Sequence, residues 1–125
     1  MDDHMYKITL DDENRLVRLV VRGELTKREG ENVIVETRAR AAESQYDILC
    51  DITEGSIKAT TADWFFLVRN KEIYPSAPSE KTAILISPDK GKIYKYVENV
   101  NRNVGFKIRI FFNEEDAIKW IRREE

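Results

Sequence analysis

The sequence predicts a single α/β domain built on a mainly parallel five-stranded sheet, with an N-terminal β-hairpin and four helices. Three observations carry that expectation. Segments with the two-residue period of strands alternate with segments of helical period along the chain. Two inner stretches, Tyr46 to Ile52 and Ala83 to Ile86, are nearly continuous apolar runs, the pattern of strands covered on both faces. The 125 residues suffice for one hydrophobic core and leave no room for a second.

Residues 1–5 (Met1-Asp2-Asp3-His4-Met5) are read as a leader and left out of the fold reading, and the domain is taken as 6–125. Tyr6 to Leu10 reads as a short strand. Asp11-Asp12-Glu13-Asn14 is a turn cluster, and Leu16 to Arg22 returns with Val17, Leu19 and Val21 on one face, so the two form an antiparallel hairpin. After Gly23 the period changes. Thr26-Lys27-Arg28-Glu29 has the form of a capping box and opens a helix to Ser44, with Gly30, Val33, Ile34, Thr37 and Ala41 as its inward stripe.

The inner strand Tyr46 to Ile52 follows and is expected to break at Glu54-Gly55-Ser56. Thr60 or Thr61 caps a second helix, expected to reach Tyr74 before Pro75 stops it. Lys81 to Ser87 is the next inner strand. Ser87-Pro88 opens a third helix carried inward by Ile93, Val97, Val100 and Val104 and stopped at Gly105. Phe106, Ile108 and Ile110 alternate with Lys107 and Arg109, as in a half-buried edge strand. Asn113 caps a last helix whose packing face is Ala117, Trp120 and Ile121. Strands and helices alternating in this way imply right-handed crossovers.

Composition narrows the function classes. With 21 basic and 23 acidic side chains the net charge is −2, without the basic excess a nucleic-acid binder uses to displace counterions. One cysteine, Cys50, excludes an internal disulfide and fits a reducing compartment, so a cytoplasmic protein is expected. No apolar run is long enough to span a membrane.

No catalytic, metal or cofactor set is legible. Cys50 sits in an apolar strand without a base to activate it and reads as a structural thiol. Asp51 and Glu54 lack His or Cys partners at ligand spacing. Ser87 to Lys92 lacks the glycine spacing of a phosphate loop, and Lys90, Lys92 and Lys95 with Tyr94 and Tyr96 read as a solvated helix face. The second helix carries more information. Trp64, Leu67, Val68 and Tyr74 form its core stripe, while Phe66 and Ile73 fall almost opposite and Phe65 lies on a flank. The surplus apolar side, Phe65, Phe66 and Ile73 with Tyr74 beside them, is expected to line a ligand pocket or a face for a partner protein or a second subunit of a homodimer.

The order of elements, the strand Tyr46-Asp47-Ile48-Leu49-Cys50-Asp51-Ile52 and the closing stretch Ile110 to Ile121 resemble the STAS-domain superfamily, in particular its SpoIIAA-like group of small stand-alone proteins. The closing stretch has the apolar strand, the acidic helix cap, and an Ala117 with Trp120 three residues on. The resemblance implies a SpoIIAA-like fold and a non-catalytic regulatory or binding domain without cofactor, one that takes a small apolar or lipid-like molecule. Its alternative implication is an anti-sigma-factor antagonist, switched by phosphorylation at a helix start. For that role Asp51-Ile52-Thr53 matches the first part of the antagonist loop, and Ala59-Thr60-Thr61-Ala62 falls over the second. Thr60 then takes the phosphoacceptor position beside Thr61, with Ala59 where the antagonists have an acid and Ala62 where they have glycine. Asp51, Thr53, Ser56, Thr60 and Thr61 form the expected switch loop. A phosphate at Thr60 would meet free backbone N–H groups and the positive end of the helix dipole.

Overall fold

The first two strands form a hairpin. In the computed structural model, which describes residues 5–70 and 80–123, β1 (Tyr6–Asp11) and β2 (Leu16–Leu25) pair antiparallel with Ile8 opposite Leu19. The turn closes on Asp11, whose carboxylate accepts hydrogen bonds from the Asn14 N–H (3.1 Å) and Nδ2 (2.9 Å). Met5, set aside as leader, belongs to this unit: its carbonyl accepts from the Arg22 N–H at 2.7 Å, and its side chain packs against the core.

α1 (Lys27–Ser44) starts on the expected capping box. Thr26 Oγ1 accepts from the Glu29 N–H at 3.1 Å while Glu29 Oε1 accepts from the Thr26 N–H at 2.8 Å, a reciprocal pairing worth about 1 kcal/mol. Gly30, Val33, Thr37 and Ala41 are buried, as the stripe predicts. β3 (Asp47–Ile57), β4 (Lys81–Leu85) and β5 (Lys107–Phe111) then join β2 in parallel, giving the sheet order β1-β2-β3-β4-β5. α2 (Thr61–Leu67), α3 (Gly91–Asn103) and α4 (Glu114–Arg122) complete the expected four helices.

Side-chain alternation divides the sheet into two faces. Leu19, Val21, Ile52, Ile84 and Ile108 point to one side, where Val33 of α1, Trp64 and Leu67 of α2, and Tyr94, Val97 and Val100 of α3 cover them. Leu16, Leu49, Ala83 and Leu85 point to the other and meet Ala117 and Trp120 of α4. Lys81 secures α4 by donating from Nζ to the Trp120 carbonyl (2.9 Å), the Ile121 carbonyl (3.3 Å) and the Arg123 carbonyl, groups that a helix end leaves without partners.

β5 is the edge strand its alternation predicts, and α3 caps that edge. Glu98, only 3% exposed, accepts from the Ile110 N–H at 2.9 Å and from Lys95 Nζ at 2.5 Å, and Arg102 donates to the Ile108 carbonyl at 3.1 Å. These bonds occupy groups that would otherwise template another strand.

Four expectations are corrected. β3 does not break at Glu54-Gly55-Ser56 but runs to Ile57, and β2 runs past Gly23 to Leu25 beside it. A bulge allows this: Ile52 and Thr53 together face Val21, and the Asp51 carboxylate accepts from the Thr53 N–H (3.0 Å) and Oγ1 (2.7 Å), after which the pairing resumes. α2 ends at Leu67, with Val68 as its cap and only a turn at Val68 and Arg69, so a continuous helix to Tyr74 does not form. The third helix opens as a 3₁₀ turn, Pro88–Lys90, and Ser87 makes no side-chain cap bond. Its inward residue is Tyr94 rather than Ile93, which is only partly buried.

Candidate ligand cavity

Between the sheet, α1 and α3 lies a cavity of about 90 Å³. The sheet supplies one wall through Leu19, Cys50, Thr82, Ile84 and Ile108, and the helices supply the other through Val33, Thr37, Tyr94 and Val97. Trp64 and Ile57 close the end at the carboxyl end of β3. Arg38, Glu80 and Phe106 lie at the opposite end, near the starts of β4 and β5. Arg38 stacks its guanidinium 4.5 Å from the centre of the Phe106 ring. Lys107 also borders this end, although strand alternation sends its side chain to the α4 face with Arg109 and Phe111.

The polar groups of the wall are few. Tyr94 Oη accepts from the Ile57 N–H at 3.3 Å, and burial raises the phenol's pKa. Asn101, 4% exposed, donates from Nδ2 to the Val97 carbonyl at 2.8 Å. Thr37, 3% exposed, has no partner for Oγ1. Cys50 is partly buried, and burial, reinforced by the neighbouring Asp51 charge, pushes its thiol up to about 12. The thiolate is therefore a negligible species at neutral pH.

The residues singled out from the sequence fall elsewhere. Phe65 and Phe66 are 39% and 69% exposed and do not line the cavity; Trp64 is the residue of α2 that does. The two rings meet edge to face at 5.3 Å. Arg69 stacks 3.8 Å from the Phe65 centroid and donates to the Phe65 carbonyl at 2.9 Å. Ile73 and Tyr74 lie outside the described residues.

The expected switch loop is not one loop. Asp51, Thr53 and Ser56 belong to β3, and Asp51 shares the α4 face with Leu49 and Leu85. Thr60 and Thr61 are exposed at the start of α2. Thr60 Oγ1 accepts from the Asp63 N–H at 3.0 Å, and Asp63 Oδ2 accepts from the Thr60 N–H at 2.9 Å, so the hydroxyl is a helix cap facing a carboxylate. That pairing, helped by Lys27, lowers the Asp63 pKa. Lys90, read as part of a solvated face, reaches the Gly55 carbonyl at 2.5 Å, while Tyr94 of the same stretch is core.

Of the cavity residues, Val33, Ile34, Thr37 and Val97 stand in the inward stripes read from the sequence, with Thr37 the one polar member on α1, while Arg38, Glu80, Thr82 and Tyr94 do not. A polar residue at a core position is the signal by which sequence reasoning could have found the site. Among the described residues no group of His, Cys, Asp and Glu is placed to hold a metal ion, and no helix is long and apolar enough to cross a membrane.

No family model and no curated protein matches the sequence. Solved structures do match. One is an uncharacterised protein of the DUF3478 family with a SpoIIAA-like fold from Shewanella loihica PV-4, which aligns over 97% of this chain and 98% of its own with a TM-score of 0.55 and 16% identity. At that identity the likeness speaks for architecture alone. The sheet order, the leading hairpin and the near-complete mutual coverage agree with the resemblance read from the sequence: this chain has the SpoIIAA-like fold.

Proposed function

We propose that the protein is a non-catalytic binding module that takes a small apolar molecule between the sheet and its α1–α3 cover. The observation that carries this reading is the cavity. Protein interiors are packed as densely as organic crystals and hold few voids larger than a water molecule. A void of about 90 Å³ walled by Leu19, Val33, Ile84, Val97 and Ile108 is therefore unusual. Apolar cavities of this kind stay dry and accept apolar guests; one of roughly 150 Å³ admits benzene. By that measure a guest of about four heavy atoms fills the void itself, and a six-membered or longer, lipid-like molecule would extend past Phe106 toward Arg38 and Glu80. The high thiol pKa of Cys50 supports a wall that binds rather than reacts.

Filling the cavity tests the reading. Cys50→Leu replaces the sulfur with three carbons, a net gain of two heavy atoms of apolar bulk against the void, so the variant should fold with equal or greater stability and lose binding of methylenecyclopentane. Binding is followed by shifts of the Trp64 indole N–H in ¹H–¹⁵N spectra. Unchanged binding by a folded Cys50→Leu protein would place the guest elsewhere and reject the proposal.

A further inference from the structure

We infer that the guest of this cavity is uncharged and carries one carbonyl or hydroxyl group that hydrogen-bonds to the Thr37 hydroxyl. The inference rests on the reading of the cavity as a binding site and goes further, to the chemistry of what it holds.

Thr37 is on the inner face of α1, 3% exposed, and borders the cavity. Its Oγ1 is the one buried side-chain nitrogen or oxygen without a partner among the described residues. Buried hydroxyls are almost always satisfied, because an unmade bond costs the full desolvation of the group. The Thr37 side chain borders the cavity, and its hydroxyl both donates and accepts. Among the other polar groups of the wall, Asn101 gives Nδ2 to the Val97 carbonyl, Tyr94 Oη accepts from the Ile57 N–H, and Thr82 is only half-buried, so that water reaches it. One idle hydroxyl in an apolar wall matches one polar group on an apolar guest.

The absence of a charge on the guest follows from the wall. Arg38 and Glu80 stand at the same end with opposite signs, and Lys107 directs its side chain to the other face of the sheet. An ionised group beside Thr37 would be desolvated with no counter-charge fixed against it. Cys50 reports the same environment, since burial there strongly disfavours its thiolate.

Three ring probes of similar size separate the outcomes: cyclopentanone, its hydrocarbon isostere methylenecyclopentane, and cyclopentanecarboxylate. Binding is measured on the intact wild-type chain and on Thr37→Val, which keeps the shape and removes the hydroxyl. Cyclopentanone should weaken about tenfold in Thr37→Val. Methylenecyclopentane should bind both proteins equally, or the variant more tightly, and the carboxylate should bind neither. Thr37→Ser, which restores the hydroxyl, should recover the preference for the ketone. Thr37→Val should also unfold at a higher temperature than wild type, the reverse of what loss of a useful structural bond would do.

Cyclopentanone binding that is indifferent to Thr37→Val, or a lowered melting temperature in that variant, overturns the role of the hydroxyl. Carboxylate binding as tight as that of the ketone overturns the uncharged guest. In both cases hydrocarbon binding leaves the cavity reading standing. Failure of all three probes to bind wild type overturns that reading and this one together.

Discussion

Single residues set the tightest tolerances in this molecule. Gly55 lies inside the parallel ladder, opposite Gly23, where a Cβ would come within 2.5 Å of the Val21 carbonyl oxygen and 2.8 Å of its carbon. Both obstacles are backbone or its immediate neighbour, so relief requires the strands to part. Gly55→Ala should therefore lower stability by about 1–3 kcal/mol, read as a fall in the urea midpoint with an unchanged slope. A midpoint equal to wild type would show that the bulge at Ile52–Thr53 absorbs the methyl. The sequence pointed to Gly55 as a strand breaker because glycine beside Glu54 and Ser56 has turn composition. Its actual role, close approach of two strands, depends on a neighbour more than thirty positions away. Thr37 teaches the complementary lesson: its place in a stripe was legible, while the lack of a partner for its hydroxyl belongs to the three-dimensional surroundings.

At the scale of elements, local signals worked where the chain itself supplies the bonds. The boxes Thr26–Glu29 and Thr60–Asp63 and the cap Asn113–Asp116 mark three helix starts, and all their partners lie within three residues. The end of α2 differs from the expected Tyr74 because apolar spacing alone does not stop a helix, and the first proline downstream marks only the latest possible stop. Instead the turn at Val68–Arg69 ends it, leaving seven residues that bury Trp64 and Leu67 and expose Phe66. The exposed Phe65–Phe66 pair is the apolar part of this element open to contact with another molecule. Phe66→Glu should change stability by no more than about 0.5 kcal/mol, because the ring is 69% exposed. The same variant should abolish concentration-dependent association if sedimentation detects any in wild type. A larger loss of stability would mean that the ring is part of the packing.

The whole molecule is joined across its length by charges that neither end of the sequence reveals alone. Arg18 of β2 donates from Nε to Asp11 at 2.8 Å and from NH2 to Glu114 of α4 at 3.3 Å, while Arg122 donates to Asn14 at 2.8 Å. The Asn14 side chain first, and then Arg18, lower the Asp11 carboxyl from 3.8 to about 2. A carboxylate whose pKa is depressed on folding stabilises the native state above its unfolded value and loses that contribution as pH falls through the folded value. The stability difference between wild type and Asp11→Asn should thus be constant above about pH 4 and shrink between about pH 4 and pH 2. A difference independent of pH over that window would show that the charge of Asp11 is not linked to folding. The pair is partly exposed and open to salt screening, so the effect should also shrink in high salt.

The alternation of strands and helices, the capped starts of three helices, the inner and edge strands, and through them the SpoIIAA-like fold, are legible in the residues, because periodicity and capping act over a few positions. What those elements enclose is set by packing between segments far apart in the chain. The continuation of β3 beside β2, the short α2 and the void between Val33, Ile84 and Val97 depend on how side chains from distant segments fill a shared space. A stripe of apolar residues states that a face is covered, and it carries no measure of whether the covering layers meet without a gap.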